Sequence, residues 1–216
     1  MADFAKLRER MVESQIAARG LREPKLLAAF RAVPREEFVG WSHSSYAYQD
    51  SPLPIENGQT ISQPYIVALT IDAAAIDSDS KVLEVGAGSG YAAAVIGQIA
   101  DKVIAIERHH DLVELAQARM KRLGYGNVSI VEGDGTLGWP AEAPFDAIVA
   151  AASGSHVPKS WIEQLKPGGR IVMPIGDPHS VQSLIKVTMR EDGSLDRENL
   201  GGVRFVPLIG AEGFRS

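Results

Sequence analysis

The stretch from Val82 to Tyr91 constrains the fold more than any other part of the chain. Its sequence, VLEVGAGSGY, is an apolar run that breaks into alternating glycines at Gly86, Gly88 and Gly90. Such a run predicts a buried strand that turns into a helix, here from Ser89 to about Ile99. Glycines let the backbone take positive φ and lie close to a ligand, and the first N–H groups of the helix point to the same place. The stretch therefore predicts a site for a nucleotide-like cofactor.

The spacing of these glycines separates two kinds of cofactor. The dinucleotide fingerprint G-x-G-x-x-G requires a glycine where Tyr91 stands, and the third glycine comes one residue early. The resulting G-x-G-x-G pattern argues against NAD as the cofactor. It resembles the first motif of S-adenosylmethionine-dependent methyltransferases, whose cofactor has no pyrophosphate to seat on a helix end. A tight strand-to-helix turn with no ligand is the alternative interpretation of the glycines alone.

Composition limits the remaining classes. The chain has 216 residues, which suits one α/β domain with an extension, and no apolar run is long enough for a membrane span. A net charge of −5 argues against a nucleic-acid binder held by phosphate contacts. The first residues lack the pattern of a signal peptide and there is no cysteine, so we expect a cytoplasmic protein.

The order of predicted elements gives the fold class. Alternating strands and helices predict an α/β fold with a doubly wound, mostly parallel sheet and an N-terminal helical extension. The extension should contain two helices, Phe4 to about Arg19 and Pro24 to just before Val33, and an ordered loop that packs Trp41, Tyr46 and Tyr48. The further strands are predicted at 102–106, 128–131, 145–150, 170–174, 181–189 and 203–208, with helices at 111–122 and 161–165.

The segment from Leu53 to Tyr65 carries a second signal. Asn57-Gly58 predicts a turn, and Pro64 is placed to begin a helix with Ser62 as its N-cap. Beside the central sheet, the start of this helix would lie near the glycine loop. That Ser62 only caps a helix is the alternative.

Two acidic residues follow predicted strands. Glu107 ends the strand after the glycine loop, where a carboxylate can accept both hydroxyls of a ribose. Asp134 follows the next strand, at the edge where ligands gather in open α/β sheets, although it can also simply form a turn. The adjacent His109 and His110 do not face one way on a helix, so no metal site is expected.

Several motifs together resemble one family. The run Leu53-Pro-Ile, the run GQTISQPY at 58–65 and the glycine stretch look like protein-L-isoaspartate (D-aspartate) O-methyltransferase. Motifs with the same order and spacing continue to the C-terminal end of the chain, so the resemblance covers nearly all of it. They are GDG at 133–135, APFDAI at 143–148, QLKPGGR at 164–170 and VRFVPL at 203–208.

The resemblance implies an activity and a set of site residues. The activity is transfer of a methyl group from S-adenosyl-L-methionine, leaving S-adenosyl-L-homocysteine, to the free α-carboxylate of L-isoaspartyl residues in damaged proteins and peptides, with D-aspartyl residues as further candidates. The substrate would be held in line by a hydrogen bond from Ser62, which need not become a nucleophile because a carboxylate is already ionised at neutral pH. Cofactor contacts are expected from Glu84, Gly86, Gly88, Gly90, Glu107, Arg108, Asp134 beside the adenine, and Gly135; substrate contacts are expected from Leu53, Pro54, Ile55, Thr60, Ile61, Val206, Pro207 and Leu208.

The sequence predicts a single domain with an N-terminal extension, and it leaves two other functions open. Residues 1–60 would form an extension that covers the active site and residues 61–216 the cofactor-binding core of a single domain, acting as a monomer without nucleic acid or membrane partners. Residues 153–156 depart from the family pattern and favour, as the alternative, a methyltransferase of the same fold that acts on another carboxylate or a small molecule. A cofactor-binding regulatory protein without turnover would have no use for the intact Thr60-Ile61-Ser62 element.

Overall fold

A computed structural model describes residues 3–215, so the outer limits 1 and 216 of the expected domain lie outside the described residues. A short hairpin, β1 (Leu53–Pro54) and β2 (Thr60–Ile61), precedes a seven-stranded sheet. The strands of that sheet are β3 (Lys81–Val85), β4 (Lys102–Glu107), β5 (Val128–Glu132), β6 (Phe145–Ala150), β7 (Leu165–Ile175), β8 (Gln182–Met189) and β9 (Leu195–Val203).

The strand order of the sheet is β5-β4-β3-β6-β7-β8-β9. The first five of these strands pair in parallel, and β8 and β9 add an antiparallel edge. The predicted doubly wound, mostly parallel sheet is therefore confirmed. The chain leaves β3 towards β4 on one side and later returns to β6 on the other, so the carboxyl end of β3 is the topological switch point, where ligands bind in such sheets.

Six helices flank or extend the sheet among the described residues. Helix α4 begins only at Tyr91, two residues later than predicted, because Gly90 before it is left-handed (φ +86°) and cannot be part of the helix. The helices are α1 (Phe4–Met11), α2 (Pro24–Ala32), α3 (Pro64–Ala74), α4 (Tyr91–Gly97), α5 (His110–Leu123) and α6 (Lys159–Glu163). None of them is long and apolar enough to cross a membrane.

The first predicted helix has the expected extent but a mixed geometry. After α1 the chain continues as a π-helix (Val12–Ile16) and a 3₁₀ turn (Ala17–Arg19), and Gly20 closes it in the left-handed conformation (φ +99°). Its inward side chains are fully buried in the same core cluster as those of α4. The extension and the sheet therefore share one hydrophobic core.

The loop after α2 contradicts part of the prediction. It forms two 3₁₀ turns, Arg35–Phe38 and Trp41–Tyr46. Tyr48 is buried as expected, but Trp41 is 93% exposed and Tyr46 is 49% exposed. The expectation that all three aromatics pack was wrong, because without a helical or strand period their sequence does not reveal which side faces the core.

The end of the chain also differs from the prediction. The last strand is β9, which forms a hairpin with β8 through an exposed turn at residues 190–194, and residues 204–208 do not continue the sheet. The apolar run was misread as a strand. Its Pro207 has no N–H for a sheet ladder, and the run forms only an isolated bridge with Ser153: Ser153 N donates to Val206 O (2.8 Å), and Leu208 N donates to Ser153 O (2.8 Å).

Candidate active site

A cavity of about 610 Å³ lies at the carboxyl ends of the parallel strands, within the range of small-molecule sites. Its floor comes from the ends of β3 and β4 and from the residues that follow β5 and β6. These residues are Val85, Gly86, Gly88, Ile106, Glu107, Arg108, His109, Gly133, Gly135, Ala151 and Ala152. The remaining wall comes from the segments around the β1–β2 hairpin and after β9.

The glycines of the loop add no side chains to the cavity floor. Gly86, Gly88 and Gly90 all have positive φ, at +87°, +52° and +86°. A Cβ on Gly88 would meet Ile55 Cδ1 at 3.4 Å, so the hairpin segment packs directly against the loop. Gly86 and Gly88 line the cavity, whereas Gly90 forms the N-cap of α4 behind it.

The carboxylate of Glu107 is held in place at the cavity by three hydrogen bonds. The buried group accepts them from the backbone, from Gly88 N (2.9 Å), Arg108 N (2.8 Å) and His109 N (3.0 Å). These bonds tie the end of β4 to the glycine loop and fix the orientation of the carboxylate at the cavity wall. A rigid acceptor beside the loop is what recognition of a ribose requires.

Asp134 is engaged within the protein rather than facing the cavity. Its carboxylate accepts bonds from Thr136 N (2.9 Å), Thr136 Oγ1 (2.6 Å) and Ala211 N (2.8 Å). Burial opposes ionisation, but these hydrogen bonds outweigh it and lower the pKa of Asp134. Its neighbour Gly135 does line the cavity, and a Cβ there would lie 2.4 Å from Val85 Cγ1, so only glycine fits. The adenine contact of Asp134 stays a prediction.

Glu84 is a buried carboxylate in β3, next to the glycine loop. It is only 2% exposed, and Oε2 has no hydrogen-bond partner within the described chain. Burial, with a smaller contribution from the charge of Glu107, raises the pKa of Glu84 to about 8. An orphaned acid at this place can accept a bond from a cationic group of a ligand, although Glu84 borders a small apolar pocket behind the main cavity rather than the cavity itself.

Ser62 is another residue of the cavity lining. It lines both the main cavity and the small pocket that contains Glu84. The predicted helix cap was wrong: α3 begins at Pro64, Gln63 occupies the N-cap position, and no side chain caps the helix. The Ser62 hydroxyl is therefore free of the competing role that the sequence left open.

The segment after β9 completes the remaining wall and is held by one amide side chain. Gln182 is 1% exposed; its Oε1 accepts from Phe205 N (2.8 Å) and its Nε2 donates to Phe205 O (3.4 Å). Of the predicted substrate residues, Thr60, Val206, Pro207 and Leu208 line the cavity. Leu53, Pro54, Ile55 and Ile61 do not line it: they form the hairpin behind the wall, with Leu53 paired to Ile61 and Pro54 to Thr60.

Sequence reasoning missed several lining residues. Gln59 and Gln63 flank the Thr-Ile-Ser element within a motif that was quoted, so their polarity was a usable signal. Arg204 likewise lies within the quoted motif VRFVPL, whereas no local pattern marks Val181. Residues 153–156, which depart from the family pattern, do not line the cavity.

Comparisons with known proteins agree with this geometry. Residues 6–213 match the family model described as Protein-L-isoaspartate(D-aspartate) O-methyltransferase. A Protein-L-isoaspartate O-methyltransferase of Rhodopseudomonas palustris (strain ATCC BAA-98 / CGA009) is 53% identical over 205 residues, 95% of this chain and 94% of that protein. One from Pelobacter propionicus is 51% identical over 207 residues, 96% of this chain and 92% of that protein.

Two solved structures indicate the same family as the sequence comparisons. A protein-L-isoaspartate O-methyltransferase structure superposes with a TM-score of 0.87 at 32% identity, covering 95% of this chain and 67% of that chain. A Plasmodium falciparum protein assigned to the same activity, crystallised with S-adenosyl-L-homocysteine, gives 0.79 at 26% identity, covering 94% and 98%. With the family model matched over almost its whole length, the chain belongs to the protein-L-isoaspartate (D-aspartate) O-methyltransferase family.

Proposed function

We propose that the chain transfers the methyl group of S-adenosyl-L-methionine to the α-carboxylate of L-isoaspartyl residues in damaged proteins, the step that starts their repair. One observation carries the proposal. The glycine loop, Glu107 and Ser62 line one and the same cavity, so a cofactor and a carboxylate substrate can meet there. The family to which the chain belongs is named for O-methylation of isoaspartyl and D-aspartyl residues, and this supports the proposed reaction.

The residues of the cavity floor fit the cofactor. Gly86 and Gly88 leave room for close approach to the backbone, and Glu107 presents an oriented acceptor for the ribose. Next to this floor, the unpartnered Glu84 Oε2 borders the small apolar pocket and suits an ammonium group. When bound, S-adenosyl-L-methionine supplies an electrophilic methyl group. Arg108 and Gly135 lie on the same floor as further contacts.

Ser62 is proposed to hold the substrate. A carboxylate with a pKa of roughly 4 is ionised at neutral pH, so the site needs no general base. The Ser62 hydroxyl can donate one hydrogen bond to a carboxylate oxygen, and this bond orients it towards the glycine loop. The rate enhancement then comes from alignment and from exclusion of water.

Substrate contacts on the remaining wall are proposed to come mainly from side chains. A peptide pairing with the backbone of residues 205–208 would need free N–H and C=O groups. Those of Phe205 are taken by Gln182, and Val206 O and Leu208 N are taken by Ser153. Low sequence specificity then follows from the few side chains that contact the substrate.

The extension of residues 1–60 is proposed to be part of the site rather than a separate unit. Pro52, Gln59 and Thr60 line the cavity, and Ile55 packs on the glycine loop. A monomer, a cytoplasmic location, activity on D-aspartyl residues and the absence of nucleic-acid partners stay predictions. Sedimentation velocity would test the first of them.

The test compares two peptides that differ only in one L-isoaspartyl or L-aspartyl linkage, with labelled S-adenosyl-L-methionine. Label on the isoaspartyl peptide alone is expected, and Ser62→Ala should reduce turnover by about tenfold or more without changing cofactor affinity. Label on neither peptide, with cofactor binding intact, would favour the alternative: a methyltransferase of another carboxylate or a small molecule. Full turnover in Ser62→Ala would remove Ser62 from the mechanism.

A further inference from the structure

A buried arginine begins the 3₁₀ turn Arg35–Phe38 of the extension and does not line the cavity. The Arg35 side chain has no exposed surface. Within residues 3–215, no carboxylate lies at ion-pairing distance from it, and Nη1 has no hydrogen-bond partner. An arginine is rarely buried in this way, because removing its charge from water is costly unless the group has a specific task.

The contacts of Arg35 join three parts of the active-site scaffold. Nε donates to the carbonyl oxygen of Ala47 in the extension (2.7 Å), and Nη2 donates to the carbonyl oxygen of Ser62 (2.8 Å). The guanidinium also stacks on the Tyr91 ring, 4.7 Å from its centroid. A single planar group thus touches the extension, the proposed substrate-holding serine and the helix after the glycine loop.

Tyr91 is itself firmly placed. It is the first residue of α4, directly after Gly90, and its ring packs edge-on against Phe30 (6.2 Å) and Phe38 (5.5 Å) of the extension. The face on which Arg35 stacks is therefore fixed relative to the cofactor loop. Because the guanidinium also bonds to the carbonyl of Ser62, it holds the backbone of Ser62 in a fixed position relative to the cofactor loop.

We propose that Arg35 is a positioning residue for methyl transfer, which sets the place of Ser62 relative to the glycine loop. The inference rests on the proposed role of Ser62. This bond restrains the carbonyl of Ser62, so rotation about the Cα–Cβ bond is the main freedom left to the hydroxyl. Misplacement of a reacting group by about 1 Å can cost a hundredfold in rate, so one backbone bond is enough to matter.

The planar fork explains why this residue is arginine. A guanidinium can donate to two carbonyls in different directions while its face lies on an aromatic ring. A lysine ammonium can reach one of those carbonyls but cannot bridge both and stack as well. Arg35→Lys keeps a long basic side chain and loses the bridge, so it tests the bridge itself.

Arg8 offers a matched control in the same extension. It is also largely buried and also donates to a backbone carbonyl, that of Arg31 (3.2 Å), and to Tyr48 Oη (2.8 Å). It makes no contact with Ser62. Arg35→Lys is expected to lower kcat for the isoaspartyl peptide by about tenfold or more and leave the cofactor dissociation constant unchanged. Arg8→Lys should lower the melting temperature and leave kcat as in the wild type.

A double variant separates positioning from general stability. If Arg35 acts through Ser62, then Arg35→Lys should cost no further turnover in the Ser62→Ala background. All kcat values are expressed per cofactor-binding site, so that unfolded molecules do not count. Equal kcat in Arg35→Lys and Arg8→Lys, or the same loss with and without Ser62, would overturn the proposal. A wild type that binds cofactor but labels neither peptide would overturn the proposed function first.

Discussion

The two ends of the cavity are built in different ways. The cofactor end comes from residues that follow neighbouring parallel strands, and Glu107 closes it with three bonds to nearby backbone. The substrate end consists of irregular segments around Ser62 and after β9, fixed by Arg35 and Gln182 from distant parts of the chain. One end is therefore specified locally, and the other depends on a few long-range contacts.

This difference has a functional consequence. Sheet hydrogen bonds hold the cofactor end, so its substitutions should act on cofactor affinity alone. Single side chains hold the substrate end, so its substitutions should act on kcat or on the KM of the peptide and leave cofactor affinity unchanged. A substitution that moved both together would break the distinction.

The largest effect on cofactor affinity is expected from Glu107→Gln. An amide has only one acceptor oxygen: it can keep the bonds from Arg108 N and His109 N, but its NH₂ group would then face Gly88 N, so the bond to the glycine loop would be lost and the ribose contact weakened. Affinity for S-adenosyl-L-homocysteine should fall on the order of a hundredfold, measured by isothermal titration calorimetry.

Glu132→Gln is the matched control for this substitution. Glu132 lies opposite Glu107 in the register of β4 and β5, but it is exposed and bonds to His110 (2.7 Å). Its replacement should leave affinity unchanged. Equal losses in the two variants would mean that charge at the sheet edge matters, and not the oriented carboxylate.

A smaller effect, at the other end, is expected from Gln182→Met. The variant keeps the shape of the side chain and releases the backbone of Phe205, so the KM of the isoaspartyl peptide should rise by about three- to tenfold. Cofactor affinity should stay as in the wild type. Initial-rate kinetics at saturating cofactor measure the first quantity, and calorimetry measures the second.

Gln164→Met provides the comparison for this prediction. Gln164 is also a buried amide with bonds in both directions, from Trp139 N (2.7 Å) and to Leu137 O (2.9 Å), but it does not line the cavity. Both variants should melt at lower temperature, and only Gln182→Met should change KM. A rise in KM for both would indicate that any buried amide disturbs the site.

The same contrast explains what the sequence could predict. The strand, the glycine turn and Glu107 lie within one local pattern, in which apolar period and glycine spacing determine the geometry. The substrate wall has no such period. Its apolar run at 203–208 reads as a strand, but Gln182 takes the backbone of Phe205, and Pro207 has no N–H for a sheet ladder. The family resemblance supplied Ser62, but nothing in the local sequence pointed to Arg35.

Glu84 gives the smallest expected effect and sharpens the comparison from the cofactor end. Burial raises its pKa from 4.5 to about 8. Below about pH 4.5 the acid is protonated in both the folded and the unfolded chain. Between the two pKa values the unfolded chain loses the proton while the folded chain keeps it, so the contribution of Glu84 to stability decreases as pH rises and levels off above about 8.

Glu84→Gln removes this titration while keeping the size of the side chain. Its melting temperature relative to the wild type should therefore increase steadily from about pH 5 to about pH 8, measured by calorimetry in buffers of equal ionic strength. Melting curves of the two proteins that shift in parallel over this range would mean that Glu84 titrates normally. A difference in melting temperature that grows with pH would show that Glu84 is a buried acid without a partner, held in β3 next to the glycine loop.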